Sequence, residues 1–271
     1  MRTLLIAGAM VGCALASLPA SGQTMEERAS ARAVIAKRGD AIVIVLGKLQ
    51  VVTVVDGRQV QSEDQPLQVN ATVLDAKGLT VMSLSALDPG KLMTSVAGRS
   101  GGAGRPTVVI KTEASALRLR LPNGREVPAT VASRNEALDL AFIRPTEPVT
   151  TPLAFVDGPS AKPGAMDLLV VVQRLSAFAS WKTTASFAYV QSVLDPPHPA
   201  YLVAGSTGGP GVAAFDPSGA FVGIMVMRTA GPAASSPAGS MLADLSGTDA
   251  LGLMPVILAA DEIRAAARSN F

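Results

Sequence analysis

The sequence predicts a mostly β protein built as two antiparallel β-barrels, with a helix near each end. Three observations carry that expectation. About a dozen short segments rich in Val, Ile, Leu and Ala recur between turn residues. They fall into two groups on either side of a Pro/Thr-rich stretch, Pro145-Thr146-Glu147-Pro148-Val149-Thr150-Thr151-Pro152. Helical charge placement is found only near the ends of the chain, at Glu26 to Lys37 and at Pro255 to Arg268. Short strands repeated with turn signals between them are the pattern of closed β architectures.

Taken in order, Arg2 followed by the apolar run Leu4 to Leu18 and then Pro19-Ala20-Ser21-Gly22-Gln23 reads as a secretory signal peptide over residues 1–22. The run is too short, and too quickly followed by polar sequence, for a membrane span. Cys13, the single cysteine, lies inside this run and is read as incidental to the signal and not as a lipid-attachment site. The expectation is therefore an exported protein, periplasmic or extracellular, with no disulfide, no cysteine-based metal site and no membrane span after signal cleavage.

Glu26 to Lys37 is acidic at its start and basic at its end, with Gly39 as a stop signal, which predicts a helix. Ala41 to Leu46 and Leu49 to Val55 read as two strands, Arg58 to Gln65 as a polar loop. Gln68 to Leu74, the turn Asp75-Ala76-Lys77-Gly78, and Leu79 to Leu84 read as a hairpin. Asp88 to Pro106 is Gly/Ser-rich and reads as a solvated insert, Ser100 to Gly104 being its most flexible part. Leu117-Arg118-Leu119-Arg120-Leu121 alternates strictly before Pro122-Asn123-Gly124, which predicts a hairpin whose arginines lie on a solvated face. Ala137 to Ile143 carries one carboxylate, Asp139, in an otherwise apolar run. Such an acid is costly unless hydrogen-bonded. Two readings stand for it: a cap at a strand mouth, or a buried acid that orients another group.

Beyond the Pro/Thr-rich segment, Leu168 to Val172, Ala185 to Val193, Tyr201 to Ala204, Gly211 to Phe215 and Phe221 to Met227 read as strands, Ala230 to Ala238 as a loop, and Pro255 to Arg268 as the closing helix. Within this half, Gly205-Ser206-Thr207-Gly208-Gly209-Pro210 stands out. Glycines at four of the seven positions from Gly205 to Gly211 permit tight turns with free amides, and the residues after them read as a hairpin around Asp216-Pro217-Ser218-Gly219. A Gly-rich turn that presents one hydroxyl beside backbone donors is how acyl-transfer enzymes mount a nucleophile, and it is equally how an ordinary inter-strand loop is built.

The composition narrows the function. Only 16% of residues are charged, the net charge is +2, and no Lys/Arg cluster appears, so neither disorder nor a nucleic-acid partner is expected. One histidine, His198, lies in a proline-rich stretch; a solvated loop position without a catalytic role is the expectation, and a lone histidine makes no metal site. No metal or cofactor is expected.

Several of these segments together resemble the trypsin-like serine proteases, specifically the HtrA (Deg-type) branch of exported bacterial proteases. Gly205 to Ile224 resembles the family's Gly-Asn-Ser-Gly-Gly-Pro nucleophile loop and following hairpin. Leu121 to Val131 and Arg134 to Ala141 resemble the hairpin leading to the triad aspartate, and Leu74 to Ala86 the strands leading to the histidine segment. The resemblance runs through roughly residues 30 to 268. It implies two six-stranded antiparallel barrels, at about 38–147 and 148–250, in one protease-fold domain over 23–271 that ends in the helix 255–268. No peptide-binding PDZ domain is expected, since the chain stops at Phe271.

The resemblance also implies a damaged catalytic site. Asp139 matches the triad aspartate. Ser85 stands where the general-base histidine belongs, and Thr207 where the nucleophilic serine belongs. Gly205 and Thr207 match the backbone donors of the oxyanion hole. A hydroxyl is a poor nucleophile near neutral pH without a base to take its proton, and Ser85 is not such a base. The expectation is an exported protease homologue that does not cleave but binds an extended peptide or protein, or serves structurally in the envelope. The alternative is an active serine-type endopeptidase with a non-standard site; its enzymic status and its oligomeric state stay open.

Overall fold

The computed structural model describes residues 24–99, 107–194, 197–205, 208–229 and 253–270. Helix α1 (Met25–Arg38) starts on a capping box: the Thr24 hydroxyl accepts from the Glu27 N–H at 3.1 Å, and the Glu27 carboxylate accepts from the Thr24 N–H at 2.7 Å. At its other end the buried Arg38 donates through Nε to the Gly219 carbonyl at 2.7 Å and pairs with Asp157. That guanidinium holds the Asp157 carboxyl below the usual carboxylate range.

Among the described residues twelve strands follow, in two closed barrels of six. The first holds β1 (Ile42–Val55), β2 (Arg58–Val73), β3 (Thr80–Ser83), β4 (Val108–Arg120), β5 (Glu126–Asn135) and β6 (Leu140–Pro145), in the order β1-β2-β3-β6-β5-β4. The second holds β7 (Leu168–Arg174), β8 (Thr183–Leu194), β9 (Ala200–Gly205), β10 (Ala213–Phe215), β11 (Phe221–Thr229) and β12 (Leu253–Ala259), in the order β10-β11-β12-β9-β8-β7. All pairings within the two barrels are antiparallel. The short helices α2 (Leu84–Leu87) and α3 (Gly90–Arg99) join β3 to β4, and α4 (Ala260–Asn270) ends the chain.

The continuous apolar runs follow from burial on both sides of a strand. Successive side chains point to opposite faces. In β6, Ala141 and Ile143 fill the first barrel while Leu140 and Phe142 pack between the barrels. In β7, Leu169 and Val171 fill the second barrel while Val170 and Val172 meet the same inter-barrel cluster. A half-solvated strand would alternate; these do not because water reaches neither face.

Arg174, at the end of β7, ties the barrels together. Its Nε donates to the Ile42 carbonyl at 2.5 Å and its Nη2 to the Gly39 carbonyl at 2.8 Å, while its backbone N–H donates to Asn70 Oδ1 at 2.7 Å. Burial disfavours its charge, and Asp40 only partly offsets this. Arg174→Met keeps the length but strips both carbonyls of their donor, so a loss of about 2 kcal/mol in chemical denaturation is expected; a loss under about 0.5 kcal/mol would show that the barrels do not depend on it.

Several expectations are corrected. Arg58 to Gln65 is not a loop but the first half of β2, with Arg58 opposite Val55 and Gln65 opposite Leu49. It is exposed along its length, so its polar residues concealed a strand held by backbone pairing. The two strands expected over 41–46 and 49–55 are one, β1, with a register shift against β4 between Leu46 and Lys48. Within the supposed solvated insert, Gly90 to Arg99 is helical. Its Gly90 N–H donates to Thr112 Oγ1 at 2.8 Å and its Thr94 hydroxyl to the Ile110 carbonyl at 3.0 Å, which docks α3 on β4. The chain from Pro255 does not enter a helix directly. Val256, Ile257 and Leu258 are fully buried in β12, extending the second barrel past 250 to Ala259 before α4 begins. Arg118 and Arg120 both pair with Glu126, and Arg120 also lies 4.6 Å over the Trp181 ring, so that face is packed as well as solvated. The signal peptide with Cys13, Ser100 to Gly104 and Ala230 to Ala238 lie outside the described residues.

Candidate functional site at the barrel seam

Asp139 sits in the turn before β6 with φ 55, a left-handed conformation that aspartate tolerates better than most residues. Asn135 shapes the turn by accepting the Leu138 N–H at 3.1 Å. The carboxylate points into the seam and is 7% exposed. Its Oδ1 accepts from the Ser85 N–H at 2.7 Å and the Ser85 hydroxyl at 2.6 Å. Its Oδ2 accepts from the Ser83 hydroxyl at 2.6 Å and, across the seam, from the Met227 N–H of β11 at 2.9 Å. The backbone is tied too, since Leu84 N–H donates to the Asp139 carbonyl at 2.9 Å. Both earlier readings of Asp139 hold together: it stands at a strand mouth, and it is a buried acid that fixes other groups.

Four donors on two oxygens satisfy this carboxylate without a cation. The arrangement positions Ser85 through both its N–H and its hydroxyl. A carboxylate in contact with an alcohol orients it and is a weak base toward it.

Beside this pair a cleft of about 540 Å³ opens between the barrels, its walls including Ser85, Asp139, Lys91, Arg134, His198 and Arg228. Most of its charges are compensated. Lys91 pairs with Glu136 at 2.7 Å, keeping that exposed carboxyl below the usual range. Arg134 approaches Asp88 at 3.9 Å. His198 Nδ1 lies 2.8 Å from Glu262 Oε2 on α4. Arg228 differs: its Nη1 donates to the His198 carbonyl at 3.1 Å, its Nη2 is buried without a hydrogen-bond partner among the described residues, and burial disfavours its charge. Among the described residues no cluster of three or more His, Cys, Asp or Glu side chains is placed to hold a metal ion, and no helix is long and apolar enough to cross a membrane.

The two first-barrel residues singled out from the sequence, Asp139 and Ser85, are thus in direct contact. Thr207, with Ser206, lies outside the described residues. Gly205 ends β9 with φ 120, and a Cβ there would come 2.6 Å from the Phe187 carbonyl oxygen, so only glycine fits. Further along the same loop, a Cβ on Gly211 would come 2.4 Å from the Asn70 carbonyl oxygen, which shows how closely this loop passes the first barrel.

Sequence reasoning missed four contributors. Ser83 had one local signal, its position two residues before Ser85. The Met227 N–H had none, being a backbone group from the other barrel. His198 was expected to be a solvated loop residue; it is instead half-exposed in the cleft wall and held by Glu262, 64 residues away in the chain. Arg228 lies one residue past the strand read over Phe221 to Met227 and belongs to no motif.

No family model matches the chain, and no curated protein matches its sequence. Among solved structures it is similar to the HtrA-type protease AlgW with decapeptide, at a TM-score of 0.52 and 13% identity over 89% of this chain and 67% of that one. The similarity, with the two closed six-stranded barrels, shows the trypsin-like fold found in HtrA-type proteases.

Proposed function

We propose that this protein is a non-cleaving, exported homologue of trypsin-fold proteases that holds an extended peptide or protein segment in the cleft between its barrels. One observation carries the reading: Ser85 N–H and Oγ both occupy Asp139 Oδ1, where a catalytic histidine would be oriented. Without a base there, neither Ser85 nor a hydroxyl at Thr207 becomes a competent nucleophile, whereas Gly205 and Thr207 keep by the family resemblance the positions of the oxyanion donors. Peptide holding is supported by β11. Its cleft-side edge pairs with β10 only as far as Ile224, then with Val212 through Met225. Among the described residues no strand continues that edge beyond Met227, so it is a place for an added strand. The similar HtrA-type protease was itself solved with a decapeptide.

A second reading, a serine-type peptidase with a displaced base, is favoured by the His198–Glu262 pair in the cleft wall. A histidine oriented by a carboxylate is the arrangement of a general base. Casein hydrolysis by residues 24–271, beside His198→Ala, separates the two. We expect no hydrolysis above background from either protein. Hydrolysis by the parent that His198→Ala abolishes would overturn the non-cleaving reading and assign the base.

A further inference from the structure

We propose that Arg228 is an anion clamp, so that the segment held in the cleft is recognised through a carboxylate. This deepens the peptide-holding reading and rests on it. The cleft wall carries three permanent cations. Lys91 and Arg134 each face a carboxylate, Glu136 and Asp88 respectively. Arg228 has no carboxylate within ion-pair distance among the described residues, only the His198 carbonyl on Nη1, and its Nη2 is buried with no acceptor. Glu262 acts on Arg228 only through its charge, outside ion-pair distance, and is itself engaged by His198.

The state is costly for the free protein. An unpaired polar group out of water gives up its hydration without replacement, and a partly desolvated guanidinium more so. A carboxylate is its natural complement; with Nη1 on the His198 carbonyl and Nη2 covered in the free protein, the guanidinium turns toward the cleft to take it. The location adds to the argument. Arg228 lies one residue beyond Met227 on the β11 edge proposed to take an added strand, so a peptide paired there passes its side chains or its terminus over the guanidinium. Asp139 does not compete for this role, since four donors already satisfy it.

The carboxylate can come from an acidic side chain or from a peptide C-terminus, and the test separates them. Residues 24–271 are used to select binders from a soluble random octapeptide library with acetylated and amidated ends, read by mass spectrometry, alongside a matched library with free C-termini. Selected peptides are remade with Gln for Glu or Asn for Asp. We expect acidic peptides, or free C-termini, to be selected, and neutralising the carboxylate to weaken binding about tenfold or more. Arg228→Met should abolish that difference, and Arg228→Lys should retain part of it. Enrichment only in the free-ended library assigns the clamp to a C-terminus; enrichment of Glu or Asp with blocked ends assigns it to a side chain. Binders indifferent to neutralisation would overturn the clamp and leave peptide holding standing. The absence of binders from either library would overturn both. The comparison of charged and neutral peptides on the parent protein decides the matter even if the Arg228 variants do not fold.

Discussion

Asp139→Ala is expected to destabilise the protein by about 3 kcal/mol in chemical denaturation, because it strands donors that cannot turn elsewhere. The Ser85 and Met227 N–H groups are backbone donors fixed by α2 and β11, and each loses the acceptor that it has among the described residues. A buried donor left unsatisfied costs about 1–3 kcal/mol. The Ser83 hydroxyl is fully buried and adds a third, though it can rotate. Alanine is also less at home than aspartate at φ 55. Relief from burying a carboxylate offsets part of the sum. Asp139→Asn keeps the turn but places an NH₂ against donors, so an intermediate loss is expected. A change under about 1 kcal/mol for Asp139→Ala would mean that the network merely decorates the seam.

The second large effect is a gain. Ser85→His combined with Thr207→Ser is expected to raise casein hydrolysis at least about a hundredfold over the parent background, since a positioned general base contributes about 10²–10⁴. The geometry for it is present: residue 85 already touches Asp139 Oδ1 through both its N–H and its side chain, so an imidazole there meets a carboxylate held in place from the opposite side by Ser83 and Met227. Ser85→His alone should gain less, because the two residues act as a unit. A folded double variant with no gain would show that a histidine at 85 and a serine at 207 do not suffice for hydrolysis on this scaffold.

The two-barrel fold was legible because buried strands leave a strong signal. Val43, Val45, Leu169 and Val171 sit in runs that exclude polar residues, and turn residues bound them. What escaped was structure that side chains do not drive. The outer half of β2 is held by backbone pairing to β1 and is solvent-facing, so its sequence reads as a loop. Helix α3 is short and flanked by glycine, and its docking depends on Thr94 and Thr112 contacts that no local pattern announces. At the site, Asp139 and Ser85 could be paired from sequence because each sits in a recognisable segment. His198 and Arg228 could not, because they stand out through the contact with Glu262 on the closing helix and through the burial of the Arg228 Nη2 without a partner among the described residues, both of which are facts of packing.

The most direct test of the central claim, that a hydroxyl has replaced the base at Asp139, is labelling of residues 24–271 by a serine-directed fluorophosphonate, read as intact mass after prolonged exposure near neutral pH. An activated hydroxyl takes up one phosphonyl group per chain; an unactivated one does not. The account predicts an unchanged mass for the parent protein and a stoichiometric adduct for Ser85→His with Thr207→Ser. A stoichiometric adduct on the parent, at Ser85, Thr207 or any other hydroxyl, would contradict it.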